Sequence, residues 1–384
     1  MKRFRWCFKA PIIPILLAAF ATGCVNNHDE PASSAPPAEA ERTVLVYMVA
    51  NNDLGARGWD DADIAEMQKA AAGGGLGDGR LILMHQAPGG KSVLKEVNAA
   101  GGIDTLRIYD PSDSPLSIGR MRSMFGDMRE LAPARHYGLV LWSHGTGWLD
   151  DGMAEPSGQK RAFGLDGNRQ MKITSLARAL DDQDFDYVYF DCCHMASVEV
   201  AYELRHATSR IVASVTELPL GGMPYDTNVP LLIQGRLQEA AEATFRSYDE
   251  MSGSGRTCTI SVIETDRLDR LAEATRNLYA SAVPLPENTL PQAFERTATC
   301  RHFDFAHYAG LIASDATALA EWQDALEAAV SYEAATPRIF NTLTIHHHCG
   351  LSTYVARTPA DLETRGYSGL QWATKVATAL PWLQ

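Results

Sequence analysis

The chain has 384 residues and a formal net charge of -13, and 46% of its residues are hydrophobic. This length and composition are typical of a globular protein with one large domain or two ordinary ones. An acidic surface of this size argues against nucleic acid as a partner, because the phosphates would be repelled.

The first residues have the layout of an export signal. Lysines and arginines precede the short apolar run Pro11–Phe20, and the sequence A-T-G-C follows at positions 21–24. The apolar run is too short to span a membrane as a helix. Because A-T-G-C resembles a bacterial lipobox, we expect residues 1–23 to be a signal peptide. Cys24 would then carry a lipid that anchors the exported protein to the cell envelope, at the outer membrane or the cell surface. The alternative is an ordinary signal peptide cut near Gly23.

Residues 24–42 are predicted to form a flexible tether. After Cys24 they read VNNHDEPASSAPPAEAER, a segment rich in proline, alanine, serine and glutamate without apolar periodicity. Such a segment cannot bury enough surface to offset the entropy lost on ordering. The folded domain is therefore expected to cover residues 43–384.

Buried strands alternate with helices from Thr43 onward. Continuous apolar runs, typical of strands buried on both faces, occur at Thr43–Ala50, Tyr137–Gly145 and Asp186–Asp191. The other strands predicted in this part are RLILMHQA, LKEVNA and SRIVASVTE, and the predicted helices are DDADIAEMQKAAA, SIGRMRSMFGDMREL, ITSLARALDDQ and MASVEVAYELRH. This alternation predicts an α/β/α sandwich with a mostly parallel central sheet.

The character of the chain changes after about residue 229, where helix predominates. Helices are predicted at Val229–Met251, Asp266–Ser281 and Thr317–Ala335, with the strand TCTISVIET between the first two. A late strand, GLSTYVAR, precedes a terminal helix. We therefore expect residues 229–384 to form a helix-rich C-terminal part packed on the sheet.

The cysteine count predicts at least one free thiol. Cys7 would leave with the signal peptide and Cys24 would be lipidated, so five cysteines remain, at positions 192, 193, 258, 300 and 349. An odd number in an exported protein leaves one cysteine without an internal partner. The chain has no C-x-x-C or H-E-x-x-H spacing, so these cysteines do not indicate a metal site.

Two predicted strands end in reactive side chains. One ends in Ser143-His144-Gly145, and the other in Asp191-Cys192-Cys193-His194. One helical crossover separates the two strands, which predicts that they are parallel neighbours whose carboxyl ends meet where open sheets bind ligands. A thiol beside an imidazole is the minimum for nucleophilic acyl transfer. The alternative for each residue alone is structural: a buried cysteine is usually inert, and a histidine at a strand end is more often structural than catalytic.

Strand alternation separates the two thiols. If the strand persists to its end, Asp191 and Cys193 share one side and Cys192 points to the other. Cys193 would lie just before the helix predicted at Met195–Leu204, whose N-terminus would favour the thiolate. The backbone N–H groups of Gly145 and Cys193 are then candidates to hold an oxyanion.

A run of three histidines, His346-His347-His348, is a weaker candidate site. Such a run suggests a metal site by composition. Consecutive residues of a strand, however, point to opposite faces. We therefore expect no metal site there.

The order of the motifs resembles the clostripain family of cysteine peptidases, which belongs with caspases and gingipains in the caspase–hemoglobinase fold. Cys193 follows His144 by 49 residues, close to the spacing of about 50 in caspases. The resemblance covers the whole mature domain, from about residue 43 to the C-terminus. The matching blocks are YMVANNDL (Tyr47–Leu54), LWSHGTGW (Leu141–Trp148), FDCCHMASVEVAYEL (Phe190–Leu204), VASVTELPLGGMPYD (Val212–Asp226) and GLSTYVART (Gly350–Thr358).

The resemblance implies an endopeptidase that acts on proteins or peptides through a dyad of Cys193 and His144. The family block F-D-A-C-L-M places the nucleophile on Cys193, the small alanine on Cys192 and the leucine on His194. Asp191 matches the acid that lines the pocket for a basic P1 residue, which implies cleavage after Arg or Lys. The chemistry requires no cofactor, although some relatives bind calcium, and we expect a monomer.

The sequence departs from the family in the loop that should complete this pocket. Family members often carry a further acid there, but Leu220-Gly221-Gly222 has none, and the nearest acids are Glu217 and Asp226. This departure puts the Arg/Lys preference in doubt. Some members are activated by cleavage at a basic residue in the loop after the histidine, and Lys160 and Arg161 lie in the comparable loop.

Two other classes of protein remain as alternatives. A catalytically inactive, lipid-anchored binding protein could keep the same fold, but the chain retains both His144 and Cys193. A serine acyl hydrolase would be expected to carry a G-x-S-x-G elbow, which the chain lacks. The sequence therefore favours a cysteine peptidase.

Overall fold

The computed structural model describes residues 37–149, 162–297 and 299–384. The strands of this part are β1 (Ala40–Val49), β2 (Arg80–Gln86), β3 (Ser92–Val97), β4 (Ile103–Ile108), β5 (Ala134–Trp142), β6 (Phe163–Asp166), β7 (Arg169–Met171), β8 (Phe185–Asp191), β9 (Thr208–Ala213), β10 (Thr259–Glu264), β11 (Phe303–Asp304), β12 (Val330–Ala335), β13 (Arg338–Ile339), β14 (Leu343–Thr344) and β15 (Ser352–Thr353). The α-helices are α1 (Asp53–Ala56), α2 (Trp59–Ala72), α3 (Ile118–Leu131), α4 (Ile173–Leu180), α5 (Val198–Leu204), α6 (Tyr225–Ile233), α7 (Leu237–Asp249), α8 (Leu268–Ala280), α9 (Phe305–Ile312), α10 (Ala316–Ala329) and α11 (Gln371–Lys375).

The core of the fold is a nine-stranded sheet in the order β12-β10-β9-β8-β5-β1-β2-β3-β4. The five central strands, β9, β8, β5, β1 and β2, are parallel to one another. Antiparallel strands extend the sheet at both edges. The predicted α/β fold with a largely parallel centre is therefore confirmed.

Helices cover both faces of the sheet because its central strands are apolar on both sides. In β1, Tyr47 and Val49 pack into one buried cluster, whereas Val46 and Met48 pack into the other. Residues of α3, α4, α5, α8 and α10 belong to the first cluster, and residues of α2, α6 and α7 to the second. This double burial explains why these strands read as continuous apolar runs.

The C-terminal part is rich in helix, but it also adds β10 and β12 to the sheet. The helix predicted at Thr317–Ala335 ends at Ala329, and its last residues instead pair with β10 as an edge strand. The helix predicted at Val229–Met251 is divided into α6 and α7 near Gly235, which has a φ of 72°. The late strand GLSTYVAR is reduced to the two residues of β15. Sheet pairing has overridden the local helical pattern in β12.

The N-terminal boundary of the domain differs slightly from the predicted one. β1 begins at Ala40, within the segment predicted to be a tether, and Arg42 donates from Nε to the carbonyl of Ile233. Cys24 and the predicted signal peptide lie outside the described residues. None of the helices that the structure describes is long and apolar enough to cross a membrane.

Candidate active site

The carboxyl ends of β5 and β8 open into a cavity of about 320 Å³. Trp142 at the end of β5 is the register partner of Asp191 at the end of β8. The two strands therefore end at the same level, and the residues that follow them meet. His144, Asp191 and Cys193 all line this cavity, as their place after adjacent parallel strands predicts.

Hydrogen bonds to the end of β1 and to the segment around β6 fix the backbone at His144 and its two neighbours. The hydroxyl of Ser143 donates to the carbonyl of Val49 at 2.8 Å, which ties the end of β5 to the end of β1. The carbonyl of His144 accepts from the N–H of Gly164 at 2.9 Å, and the N–H of Thr146 donates to the carbonyl of Ala162 at 3.1 Å. The imidazole is consequently carried by rigid backbone and not by a loose loop.

Asp53 is a neighbour of His144 that the sequence analysis did not single out. Its Oδ1 lies 2.6 Å from Nε2 of His144. Asp53 is the first residue of α1 and follows the end of β1 by four positions, so it lies at the same edge of the sheet as His144. The signal that could have found it is the block YMVANNDL, which places an acid just beyond a buried strand adjacent to β5.

The two adjacent cysteines have different environments. Cys192 is only 2% exposed, and its thiol donates to the carbonyl of Leu141 at 3.0 Å. Burial raises the pKa of Cys192 well above its ordinary value. Cys193 is half-buried, lines the cavity, and its Sγ accepts from the N–H of Leu218 at 3.3 Å. Both thiols border the cavity, but Cys193 is the more exposed of the two, and its backbone donor favours the thiolate.

The predicted placement of Cys193 at a helix N-terminus is wrong. β8 ends at Asp191 and α5 begins at Val198, with the Ser197 hydroxyl as its N-cap. The intervening segment pairs with the chain that follows β9. The N–H of His194 donates to the carbonyl of Thr216 at 3.0 Å, and the N–H of Ala196 donates to the carbonyl of Ser214 at 2.9 Å. The N–H of Leu218 takes the place of the expected helix terminus as the donor to the thiol.

Gly145 brings the backbone after His144 close to the backbone of Cys193. A Cβ at Gly145 would lie 2.6 Å from the carbonyl oxygen of Cys193 and 2.9 Å from Cβ of Cys192. No side chain fits in that space, because real Cβ atoms do not approach other atoms so closely. The glycine is therefore required for the two strand ends to meet.

Asp191 forms the floor of the cavity. It accepts hydrogen bonds from the N–H of Met223 and the hydroxyl of Tyr225, each at 3.1 Å. Burial raises the pKa of Asp191 to about 6, although these two bonds lower it. Gly222 closes against it with a φ of 52°, and a Cβ there would lie 2.7 Å from Oδ1 of Asp191.

A second buried acid, Asp63 of α2, lies near Asp191 but is not among the residues that line the cavity. The indole Nε1 of Trp142 donates to Oδ2 of Asp63 at 2.7 Å. Burial, followed by the charge of Asp191, raises the pKa of Asp63 to about 9. The sequence does not reveal Asp63, because an acid within a helix is usually solvated and no local pattern shows that this one faces the sheet.

The two acids nearest to the glycine loop are already paired. Glu217 lines the cavity but forms a salt bridge with Arg296, whose guanidinium lies 4.5 Å from the ring centroid of Phe340. Asp226 pairs with Lys69 at 2.6 Å. Neither acid lies unpaired against the cavity in place of the family's additional acid.

His194, which follows the nucleophile candidate, is buried and has a φ of 59°. Its ring stacks on that of His302 with centroids 5.0 Å apart, and His302 Nδ1 lies 2.8 Å from Glu295. Burial, and then the neighbouring His302, lower the pKa of His194. The imidazole of His194 therefore packs in the protein interior against His302.

The remaining predicted positions lie elsewhere or outside the described part. Lys160 and Arg161 are outside the described residues. His348 bonds to Glu333, and His347 packs on the ring of His307. Within the described ranges, no group of three or more His, Cys, Asp and Glu residues is arranged to hold a metal ion. The five cysteines of the described residues are all free.

The fold and the site together define a class of protein. A largely parallel sheet whose carboxyl edge brings a half-buried thiol and an imidazole into one cavity is the architecture of the caspase-like cysteine peptidases. The model of the clostripain family, Peptidase_C11, matches residues 46–344. The chain belongs to the clostripain family.

Solved structures of the same family have the same fold. One is the secreted C11 cysteine protease of Bacteroides thetaiotaomicron called iotapain, with 23% identity and a TM-score of 0.75, covering 86% of this chain and 99% of that one. Another is an inactive zymogen C11 protease from Parabacteroides distasonis, with 27% identity and a TM-score of 0.74, covering 89% and 99%. A third is a secreted C11 protease of B. thetaiotaomicron with an irreversible peptide inhibitor, at 24% identity and a TM-score of 0.74, covering 88% and 98%. No curated protein matches the chain.

The buried acid Asp63 predicts a pH-dependent stability. Its pKa in the folded state lies above its ordinary value of 3.8, so the unfolded chain releases this proton first and folding is disfavoured as the pH rises from about 4 to about 9. Asp63→Asn keeps an oxygen for the Trp142 indole and removes the charge. We expect it to raise the free energy of unfolding in urea, by roughly 1 kcal/mol more for each pH unit between 5 and 8.

The matched control for this experiment is Asp61→Asn, at an exposed position of the same helix. It should leave the pH dependence of unfolding unchanged. Equal effects of Asp63→Asn at pH 5 and pH 8 would contradict the role of burial.

Proposed function

We propose that the protein is an exported cysteine endopeptidase in which Cys193 is the nucleophile and His144 transfers the proton. The observation that carries the proposal is the contrast at the end of β8: both cysteines border the cavity with His144, but Cys193 is half-buried, whereas Cys192 is only 2% exposed. Membership of a family of cysteine peptidases supports the same reaction.

In the proposed reaction, His144 accepts the proton of the Cys193 thiol, and the sulfur attacks the carbonyl carbon of the peptide bond. The backbone N–H groups of Gly145 and Cys193 hold the resulting oxyanion. His144 then gives its proton to the leaving amine, and water hydrolyses the acyl-enzyme to release the acid and the thiol. All of these groups belong to one chain, so the proposed reaction needs no group from a partner subunit, and the steps use no cofactor.

The orientation of Gly145 supports its part in the oxyanion hole. The neighbouring residues, His144 and Thr146, direct their backbone hydrogen bonds toward β6. In an extended chain the N–H groups of successive residues point to opposite sides. The N–H of Gly145 therefore points away from β6.

A preference for Arg or Lys at P1 is part of the proposal. Asp191 is a buried acid at the cavity floor, and Asp63 lies behind it. A cationic side chain entering the cavity would relieve the cost of ionising these acids in a poorly solvated place. Asp191, whose pKa of about 6 leaves it ionised at neutral pH, offers negative charge at the base of the cavity, where the family's loop acid is missing.

The proposal includes export, a lipid anchor at Cys24, and activation by cleavage. The signal-like residues 1–23 support export, and one of the matched structures is of a secreted protease. The mass of the mature N-terminal peptide distinguishes a lipidated Cys24 from ordinary cleavage near Gly23.

For activation, Lys160 and Arg161 are the proposed cleavage points. Self-cleavage there would give two chains on a denaturing gel, whereas Cys193→Ala would remain a single chain.

The nucleophile is tested by two single variants on fluorogenic peptides. Cys193→Ala should lose all measurable turnover, because no other thiol of the described residues lines the cavity beside His144 except the buried Cys192. Cys192→Ala is the matched control and should retain turnover while it unfolds at lower temperature, because it leaves a small void in the core. Activity that survives in Cys193→Ala would overturn the assignment. Peptide binding by the wild type without turnover would favour the inactive binding protein.

The P1 pocket is tested by Asp191→Asn on the same substrates. Loss of the buried charge should lower kcat/KM for Arg and Lys substrates by roughly 10- to 100-fold, the range of a charge-assisted hydrogen bond. Substrates with P1 Leu or Ala should change little. The wild type should lose its basic preference below a pH of about 6, where Asp191 becomes protonated. An equal change in kcat/KM for substrates with basic and apolar P1 residues would contradict the proposed preference for Arg and Lys.

A further inference from the structure

The block YMVANNDL matches the family but has no role in the mechanism so far. It covers the end of β1 and the start of α1, next to the end of β5. Its last acid, Asp53, places Oδ1 at 2.6 Å from Nε2 of His144. A charged partner on the ring nitrogen of a proposed general base bears directly on the reaction.

Asp53 is held in place by its neighbour Asn52. The side-chain oxygen of Asn52 accepts from the N–H of Leu54 at 2.9 Å, which caps α1. Its side-chain nitrogen lies 2.9 Å from each of two carbonyls, those of Val49 at the end of β1 and Leu165 in β6. The short helix is thus tied to the strand before it and to the strand that pairs with the His144 segment.

The chemistry of this contact defines the tautomer of His144. A carboxylate is only an acceptor, so Nε2 must carry the proton that the two atoms share. The neutral ring then has its lone pair on Nδ1, and the carboxylate also stabilises the imidazolium that forms when the ring takes a second proton. Nδ1 is therefore the nitrogen that can exchange a proton with a thiol.

We propose that Asp53 is a positioning residue that holds His144 with Nδ1 directed to the proton transfer with Cys193, as the third member of the proposed catalytic group. The inference rests on the proposed peptidase reaction. The Asp53 side chain is 46% exposed and that of His144 is 9% exposed. A pair so exposed on one side contributes little to folding, so its effect should fall on catalysis.

The experiment measures kcat, KM and pH profiles of the full chain with Asp53→Asn, Asp53→Ala and Asp53→Glu. Asp53→Asn should lower kcat roughly tenfold or more and leave KM within about twofold, because the charge acts on the proton transfer. The acid limb of its pH profile, which reports the protonation of His144, should move to lower pH. Asp53→Glu, which keeps the charge, should recover part of the loss. Asp61→Asn is the control for removal of an exposed acid and should behave as the wild type.

A second measurement does not depend on peptide hydrolysis. In the Cys193→Ala background, NMR of labelled histidine, with His144→Ala to identify the signal, follows the titration of His144. Asp53→Asn should move the midpoint to lower pH, because the imidazolium loses its counter-charge. An unchanged midpoint, or a kcat within twofold of the wild type, overturns the proposal, as does a loss of kcat that only follows a loss of folded protein. If the wild type cleaves no peptide, the proposed function fails, and the NMR result alone decides the role of Asp53.

Discussion

The parallel pairing of β5 with β8 is the constraint on which the rest of the site depends. Trp142 and Asp191 are register partners, and His144 and Cys193 each follow two residues beyond that pair. A shift of one residue in this register would exchange the two faces of β8. Cys192 would then leave the core, and Asp191 would leave the cavity floor. The hydrophobic alternation that buries Val188 and Phe190 on one face therefore also selects which cysteine is presented.

The floor of the cavity is costly for folding and, in the proposed function, useful for binding a cationic side chain. Asp191 and Asp63 are both buried, and each has a raised pKa. Two carboxyl groups so close together disfavour each other's ionisation, and burial adds to this effect. The cost is tolerated because the rest of the sheet buries large apolar faces on both sides. Binding sites are where proteins retain such unfavourable arrangements.

The sequence predicts the parts of this molecule that depend on local pattern. The apolar runs of β1, β5 and β8 and the crossovers between them were sufficient to bring the thiol and the imidazole to one edge. The start of α5 could not be predicted, because the residues before Val198 have helical character but pair with the chain after β9. β12 is a similar case, since its alanines are helix formers that complete a sheet edge. Asp53 and Asp63 depend on side-chain contacts between elements distant in sequence, which no local pattern records.

One loop connects the two halves of the proposed site. At its start, the N–H of Leu218 donates to Sγ of Cys193, and at its end the N–H of Met223 donates to Asp191. The hydroxyl of Tyr248 holds the carbonyl of Gly222 at 2.6 Å, which anchors the loop to α7. In the proposed mechanism, the first bond stabilises the nucleophile and the second orients the acid that receives the P1 side chain. Because the donor to the sulfur, Leu218, and the donor to the acid, Met223, are only five positions apart in one short segment, movement of this loop alters both groups together. If the protein acts as proposed, the loop thereby couples the choice of substrate to the state of the thiol.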